Sequence, residues 1–495
     1  MRTFAIIGAG FGGTMTCVHL LRLLAEKQRE AGGAGGGGGG CGEGSGDEPF
    51  NIFLIEKSGR FTAGAAYSTT SQAHLLNVPA GRMSAMPDDA DHFLRWARQQ
   101  DPKVGGGTFV PRPQYGKYLA SILEEADAAA GAAVRLTRVP RGAAGVRIEP
   151  DGVTIELDGG SEIHADVAVL AIGNFPPGNP WVADPTFYKS WRYAKDPWGA
   201  GALDVEPDGN VLLLGTGLTM LDIAIALKER GHRGTIHAVS RRGLLPQPHR
   251  VSIRPPTAHP RPATLDQWPR TARGLLHALR AEVRAAAAKG VDWREVVTSL
   301  RHDTPALWKG LSERERARFL RHVRPFWETH RHRASPETAT QIAELIARNE
   351  LVVHAGRLLG YAETHDGGGA VDARVLMRGA EHETLLRVAR VINCTGPETD
   401  LRKVEDAFVQ RLVQGGLVRP DALGLGLDTD PHGAIVDAQG RVQDRLMLVG
   451  PLRKGQLWEN TAVPELRGET LAIAKGLAGR VAVVKVGKAA VGVAV

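Results

Sequence analysis

The chain writes the same local design twice. An apolar run, Phe4-Ala5-Ile6-Ile7, leads into Gly8-Ala9-Gly10-Phe11-Gly12-Gly13 and then into apolar residues at helical spacing, Cys17, Leu20, Leu21 and Leu24. Further on, Val211-Leu212-Leu213-Leu214 leads into Gly215-Thr216-Gly217-Leu218-Thr219-Met220 and a second apolar helical pattern. Strand, tight glycine turn and helix, in that order, open a βαβ unit and commit the chain to parallel sheet. Two such openings in 495 residues predict an α/β protein with two Rossmann-type dinucleotide-binding domains.

The rest of the chain is divided by its patterning. Short alternating strands from about 134 close on Val167-Ala168-Val169-Leu170-Ala171-Ile172-Gly173, and a later β-type stretch closes in the same way on Val391-Ile392-Asn393-Cys394-Thr395-Gly396-Pro397. Between about 262 and 348 the sequence is helical in period and rich in Arg and Ala, with no glycine phosphate turn, and reads as a helical insertion. The expected division is 1–208 for the first part of one domain, 209–397 for the second domain with its insertion, 398–480 for a return to the first, and 481–495 for a tail. The glycine tract over 31–48, with Cys41 inside it, is expected to be a disordered surface loop, since it has almost no apolar surface to bury.

Composition removes several alternatives. Hydrophobic residues at 43% and charged residues at 23% are globular values and exclude collagen-like or wholly disordered chains. Three cysteines, at 17, 41 and 394, form no CxxC, which excludes a disulfide framework, a cysteine zinc site and a dithiol redox pair. No apolar stretch is long and uncharged enough for a membrane span or an export signal, so a cytoplasmic protein is expected. The net charge of +7 mildly favours anionic ligands, while aromatics at 5% supply few stacking platforms for nucleic acid, and none is expected as a partner.

The two glycine turns carry different residues at the end of the next strand. Gly8, Gly10 and Gly13 keep the full GxGxxG spacing, and the strand after them, Asn51 to Ile55, ends in Glu56, whose carboxylate suits the hydroxyls of a ribose. The second turn keeps Gly215 and Gly217, with Thr219 in the first helical turn, but has Met220 at the third glycine position, so that helix is expected to pack less closely on its strand. Its next strand ends in Ser240-Arg241-Arg242, and arginine there suits a 2′-phosphate that a carboxylate would repel. The blander accounts are a glycine turn that serves packing alone and a solvated basic turn. Two sites imply two cofactors, FAD in the first and NADPH in the second, with hydride passing from nicotinamide to flavin.

On these residues the chain resembles the two-dinucleotide-domain flavoproteins, and within them the bacterial FAD-NAD(P)-binding family. The resemblance rests further on His74 to Ala85, Pro111-Arg112 with Tyr115 to Tyr118, Gly215 to Asp222, Ser240 to Pro246 and Leu457 to Arg467. The broader group includes flavin monooxygenases, in which an asparagine after the second strand lies beside the reactive edge of the flavin; Asn77 looks like its counterpart, with a turn asparagine as the alternative. The resemblance also implies cofactor contacts for Gly173, Gly450 and Trp458, although a core tryptophan accounts for Trp458 as well. Two departures stand out. The fingerprint of the flavin-containing and carbonyl-oxidising monooxygenases is missing, and Pro451 replaces the acid that comes after this last glycine in many relatives.

His322, His330 and His332 lie among arginines and read as a basic wall facing an acidic substrate or nucleotide phosphates, with no metal expected. The resulting expectation is an FAD-dependent, NADPH-using oxidoreductase acting on a small molecule, with the net charge favouring an anionic one and monooxygenation the leading reaction. The alternatives are a reductase that passes electrons to a quinone or a protein, and a non-catalytic FAD-binding redox sensor. The oligomeric state stays open.

Overall fold

Apolar runs of Val, Ile and Leu become fully buried parallel strands, and the glycine turns sit where those strands hand over to helices. The computed structural model describes residues 2–33, 49–250, 259–363 and 370–490. The chain forms two compact units, one from the chain up to Thr70, Pro79–Asn174 and the chain from Thr399 onward, the other from Ser71–Val78 and Phe175–Glu398. With strands numbered along the chain, the first unit holds β1 (Thr3–Ile7), β2 (Phe50–Ile55), β3 (Val134–Val139), β7 (Val167–Leu170), β15 (Ala434–Val436) and β16 (Val442–Leu448) in one sheet, ordered β15-β16-β7-β1-β2-β3. Its strands run parallel except for the β15–β16 pair. The chain's return is fixed by register, Leu446 opposite Ala168 and Leu448 opposite Leu170. A three-stranded antiparallel sheet, β4 (Ala143–Ile148), β5 (Val153–Leu157) and β6 (Glu162–Ala165), completes the unit's strands.

The second unit holds β8 (Tyr193–Ala194), β9 (Val211–Leu214), β10 (Ile236–Ser240), β11 (Leu351–Glu363), β12 (Val371–Met377), β13 (Glu383–Val388) and β14 (Arg390–Asn393), ordered β13-β12-β11-β10-β9-β14-β8. Strand β11 belongs to two neighbourhoods. Its first residues pair in parallel with β10, Ser240 opposite Ala355, and its later residues pair antiparallel with β12, Gly356 opposite Met377. Between β10 and β11 the described chain is a run of helices, Ala272–Ala287, Trp293–Ser299, Thr304–Lys309, Glu313–His322, Arg324–Arg331 and Pro336–Ala347. Several start on a capping side chain, Thr271, Asp292, Ser312 or Ser335. The last of them buries Ile342 and Leu345 in the core with Leu221 and Ile223. Met220 is completely buried in that same core, so the thioether occupies the space at the third glycine position.

Four boundaries differ from the sequence reading. The second unit begins at Phe175 rather than 209, because β8, too short for a pattern to reveal, pairs Tyr193 with Val391 at the edge of the second sheet. Ser71–Val78 also belongs to it: Ser71 Oγ donates to Glu229 Oε2 (2.7 Å), and His74 Nε2 lies 3.1 Å from the Asp222 carbonyl oxygen. The helices Phe11–Gly33 and Val463–Ala490 run into the stretches read as loop and tail. Residues 34–48, Cys41 among them, and 491–495 lie outside the described residues.

A buried ion pair holds the returning segment. Arg453 Nη1 and Glu469 Oε1 are 2.9 Å apart with side chains 3% and 5% exposed. The other carboxylate oxygen of Glu469 accepts from Asn460 Nδ2 (2.6 Å) and from the Gly450 amide (3.2 Å). Burial pushes the Glu469 carboxyl up, while Arg453, Asn460 and the Gly450 N–H favour its charged form. Removing one partner of such a pair leaves a buried charge alone. Arg453→Met is therefore expected to lower stability by about 3–5 kcal/mol, read from the urea midpoint; a loss under about 1 kcal/mol would show that the pair behaves like an exposed one.

Candidate functional site

The first glycine turn is a backbone crossing that no side chain can enter. Gly8 has φ +104°, and a Cβ there would lie 2.4 Å from the Ala171 carbonyl oxygen; at Gly13 it would lie 1.8 Å from that of Gly8. Gly10 is approached from outside by Gly64, where a Cβ would meet the Gly10 Cα at 2.9 Å. The helix Phe11–Gly33 starts in this turn, so its first amides have no intrahelical acceptor, an arrangement that suits a pyrophosphate. Glu56 stands at the end of β2, where Oε2 accepts from the Ala9 amide (3.0 Å) and Oε1 from the Ser58 amide (3.0 Å) and hydroxyl (2.8 Å). A carboxylate offers about four acceptor positions, which leaves one for a ribose hydroxyl. Thr62 sits at φ +73° with its amide donating to the Ala9 carbonyl (2.8 Å), so a strained residue braces the turn. The helix-start amides and the Glu56 carboxylate fit the adenosine diphosphate end of FAD.

Three of the stretches that carried the resemblance meet in the first unit. Tyr115 Oη donates to the Met83 carbonyl (2.8 Å), Tyr118 Oη accepts from the Ala85 amide (3.2 Å), and Arg467 Nη1 donates to the Ser84 carbonyl (3.2 Å). Gly173 (φ +69°) and Gly450 (φ +106°) both face open space where a Cβ would stand. The Gly450 amide is already taken by Glu469. Trp458 is buried with Lys454 Nζ 4.7 Å from its ring centroid. Asn77 is half-buried in the second unit, and its carbonyl lies 2.9 Å from His249 Nε2.

The second turn repeats the crossing. Gly215 has φ +99° and a Cβ there would lie 2.6 Å from the Cys394 carbonyl oxygen, while at Gly217 it would meet nothing. Thr219 is half-buried in the first turn of the helix Leu218–Glu229. Ser240 is engaged within the protein: its Oγ accepts from the Gly243 amide (3.0 Å) and bonds Thr216 Oγ1 (2.8 Å), which donates to the Leu244 carbonyl (2.6 Å). That chain ties the second glycine turn to the turn that presents Arg241 and Arg242. A cavity of about 290 Å³ is lined by Arg241, Arg242 and Arg378.

Arg378 and Thr216 escaped the sequence reading. Thr216 was visible inside the turn, but its link to Ser240 depends on two strands being neighbours. Arg378 comes from the end of β12 and is placed by sheet pairing alone. Cys17 and Cys394 are both buried and free, and burial raises both thiols well above their ordinary pKa, which keeps them protonated and inert. His330 packs edge-on against Trp293 with centroids 4.9 Å apart, and among the described residues no three His, Cys, Asp or Glu side chains are grouped to hold a metal.

Residues 5–175 match the family described as FAD-NAD(P)-binding. No curated protein matches the chain by sequence. Among solved structures it is similar to L-lysine 6-monooxygenase from Pseudomonas syringae (TM-score 0.60, 14% identity, covering 96% of this chain and 98% of that one). It is also similar to ornithine hydroxylase from Pseudomonas aeruginosa (0.58, 11%, 97% and 99%) and to T. acidophilum thioredoxin reductase (0.51, 10%, 97% and 99%). At these identities the likeness is one of fold, that of two-domain flavoproteins. No helix of the described residues is long and apolar enough to cross a membrane.

Gly13→Ala should cost roughly 1–3 kcal/mol through overpacking and yield protein without visible flavin absorbance. A stable Gly13→Ala protein that retains full flavin would contradict the close approach as the basis of the first site.

Proposed function

We propose that this chain, whose residues 5–175 are an FAD-NAD(P)-binding domain, is an FAD-dependent, NADPH-using monooxygenase of a small metabolite. The observation that carries the reading is the contrast between its two glycine turns. An acid, Glu56, ends the strand after the first, and two arginines that line a cavity, Arg241 and Arg242, end the strand after the second. In this reading the amides of the first turn and Glu56 hold the adenosine end of FAD, and the Gly215–Gly217 turn and its arginines hold NADPH. Bound FAD supplies a two-electron acceptor for the nicotinamide hydride. The overall balance is NADPH, a proton, dioxygen and substrate giving NADP⁺, water and a product with one added oxygen atom.

Asn77 is assigned to the reacting end of the site, as a hydrogen-bond donor too weakly acidic to release a proton. The thiols of Cys17 and Cys394 are buried and kept protonated, which argues against a dithiol route onward from the flavin. The solved structures named for acting on ornithine and lysine make small amines the first compounds to screen. With the right compound, NADPH consumption should rise and the product should gain one atom from labelled dioxygen. Stimulated consumption with an unlabelled product would instead assign a reductase. Asn77→Ala should keep its flavin and its reduction rate within about threefold, but divert most of the oxygen consumed to hydrogen peroxide. Unchanged coupling with a demonstrated substrate would remove Asn77 from the site.

A further inference from the structure

We propose that Arg378 is the third arm of a clamp for the 2′-phosphate of NADPH, with Arg241 and Arg242, and that Phe326 of the helical run sets the plane of the Arg242 guanidinium. The inference rests on the assignment of the second turn to NADPH and deepens it. All three arginines line one cavity of about 290 Å³. None of the three has a carboxylate partner among the described residues. Their neighbours on the same antiparallel layer do: Arg374 pairs with Glu383 (2.8 Å) and Arg387 with Asp372 (2.9 Å). Three like charges left facing one space repel one another, and an anion with several oxygens relieves that repulsion.

Ala355 brings the arms together. It lies opposite Ser240 in the β10–β11 register, its carbonyl accepts from the Arg378 amide (2.8 Å), and a Cβ on Gly243 (φ +61°) would lie 3.2 Å from its own. The turn after β10 and the end of β12 therefore close on one residue, with the arginines on both sides. This is the end of the second strand of the βαβ unit, where the adenosine ribose of a dinucleotide on the Gly215–Gly217 turn belongs. The Arg242 guanidinium lies 5.0 Å from the ring centroid of Phe326, itself 40% exposed. The helical run is held to this turn by backbone bonds, the Gln247 amide to the Thr329 carbonyl (2.9 Å) and the Ala334 amide to the Gln247 carbonyl (3.0 Å). Phe326 is thus a positioning residue that acts through Arg242, and the helical run takes part in choosing the cofactor.

The test is calorimetric titration of the FAD-loaded protein with NADP⁺, NAD⁺ and inorganic phosphate. The wild type should prefer NADP⁺. Arg378→Gln should weaken NADP⁺ about tenfold, the worth of one hydrogen bond to a charged group, and leave NAD⁺ within twofold. Phe326→Leu should lower the same preference by a smaller factor, and Phe326→Tyr should restore it. Unchanged NADP⁺ affinity in Arg378→Gln, or equal weakening of both nucleotides, would overturn the clamp while leaving the NADPH assignment standing. An unaltered preference in Phe326→Leu would overturn the role given to the helical run. Inorganic phosphate binding as tightly as NADP⁺ would make the cavity a plain anion site and overturn the nucleotide assignment. A wild type that binds neither nucleotide would defeat the oxidoreductase reading itself.

Discussion

A methyl group at Gly13 would stand 1.8 Å from the carbonyl oxygen of Gly8, and one at Gly215 would stand 2.6 Å from that of Cys394. Each site depends on a backbone crossing too tight for any side chain. The crossings let a helix begin directly at the end of a buried strand, which leaves its first amides without intrahelical acceptors. The sheets then fix what stands beside each turn. Parallel pairing of β1 with β2 puts Glu56 one residue past the strand end, within 3.0 Å of the Ala9 amide. Parallel pairing of β9 with β10 puts Ser240 within 2.8 Å of Thr216. One geometry is used twice, with opposite charge at the strand end, and the proposed division between two different dinucleotides rests on that contrast.

The second turn is the more elaborate. Its arginines are held by a hydroxyl chain on one side and by Ala355 on the other, and β11 supplies Ala355 where it passes from parallel to antiparallel pairing. The bent strand thereby joins the dinucleotide fold to the antiparallel layer that carries Arg378. In the first unit the comparable device is the Arg453–Glu469 pair, which with Asn460 fixes the loop from Gly450 to Asn460. Pro451 stands where the resemblance implies an acid, and the carboxylate that the Gly450 amide meets comes from the helix Val463–Ala490.

The legible part of this protein lay in local pattern. Both glycine turns, Glu56 at the end of β2, and Arg241 and Arg242 after β10 are set by a few consecutive residues, and periodicity suffices to place them. Ser240 was legible as a residue but not in its use, since its partner Thr216 is brought to it only when β9 and β10 pair. Arg378 and Phe326 are far in sequence from the arginines they join, and Glu469 meets Arg453 and Asn460 only once the turn before its helix has folded, so no spacing rule connects them. The domain boundary failed for a related reason: Ser71–Val78 joins the second unit through single hydrogen bonds such as Ser71 to Glu229, which leave no trace in composition.

The central claim is that this chain uses two cofactors and that the second is NADPH. Mixing the FAD-loaded protein with NADPH, and separately with NADH, in the absence of oxygen and monitoring the visible flavin band tests it most directly. Rapid bleaching by NADPH, with NADH slower by about tenfold or more, is the result predicted. No bleaching by either nucleotide, with or without candidate substrates, would contradict the account.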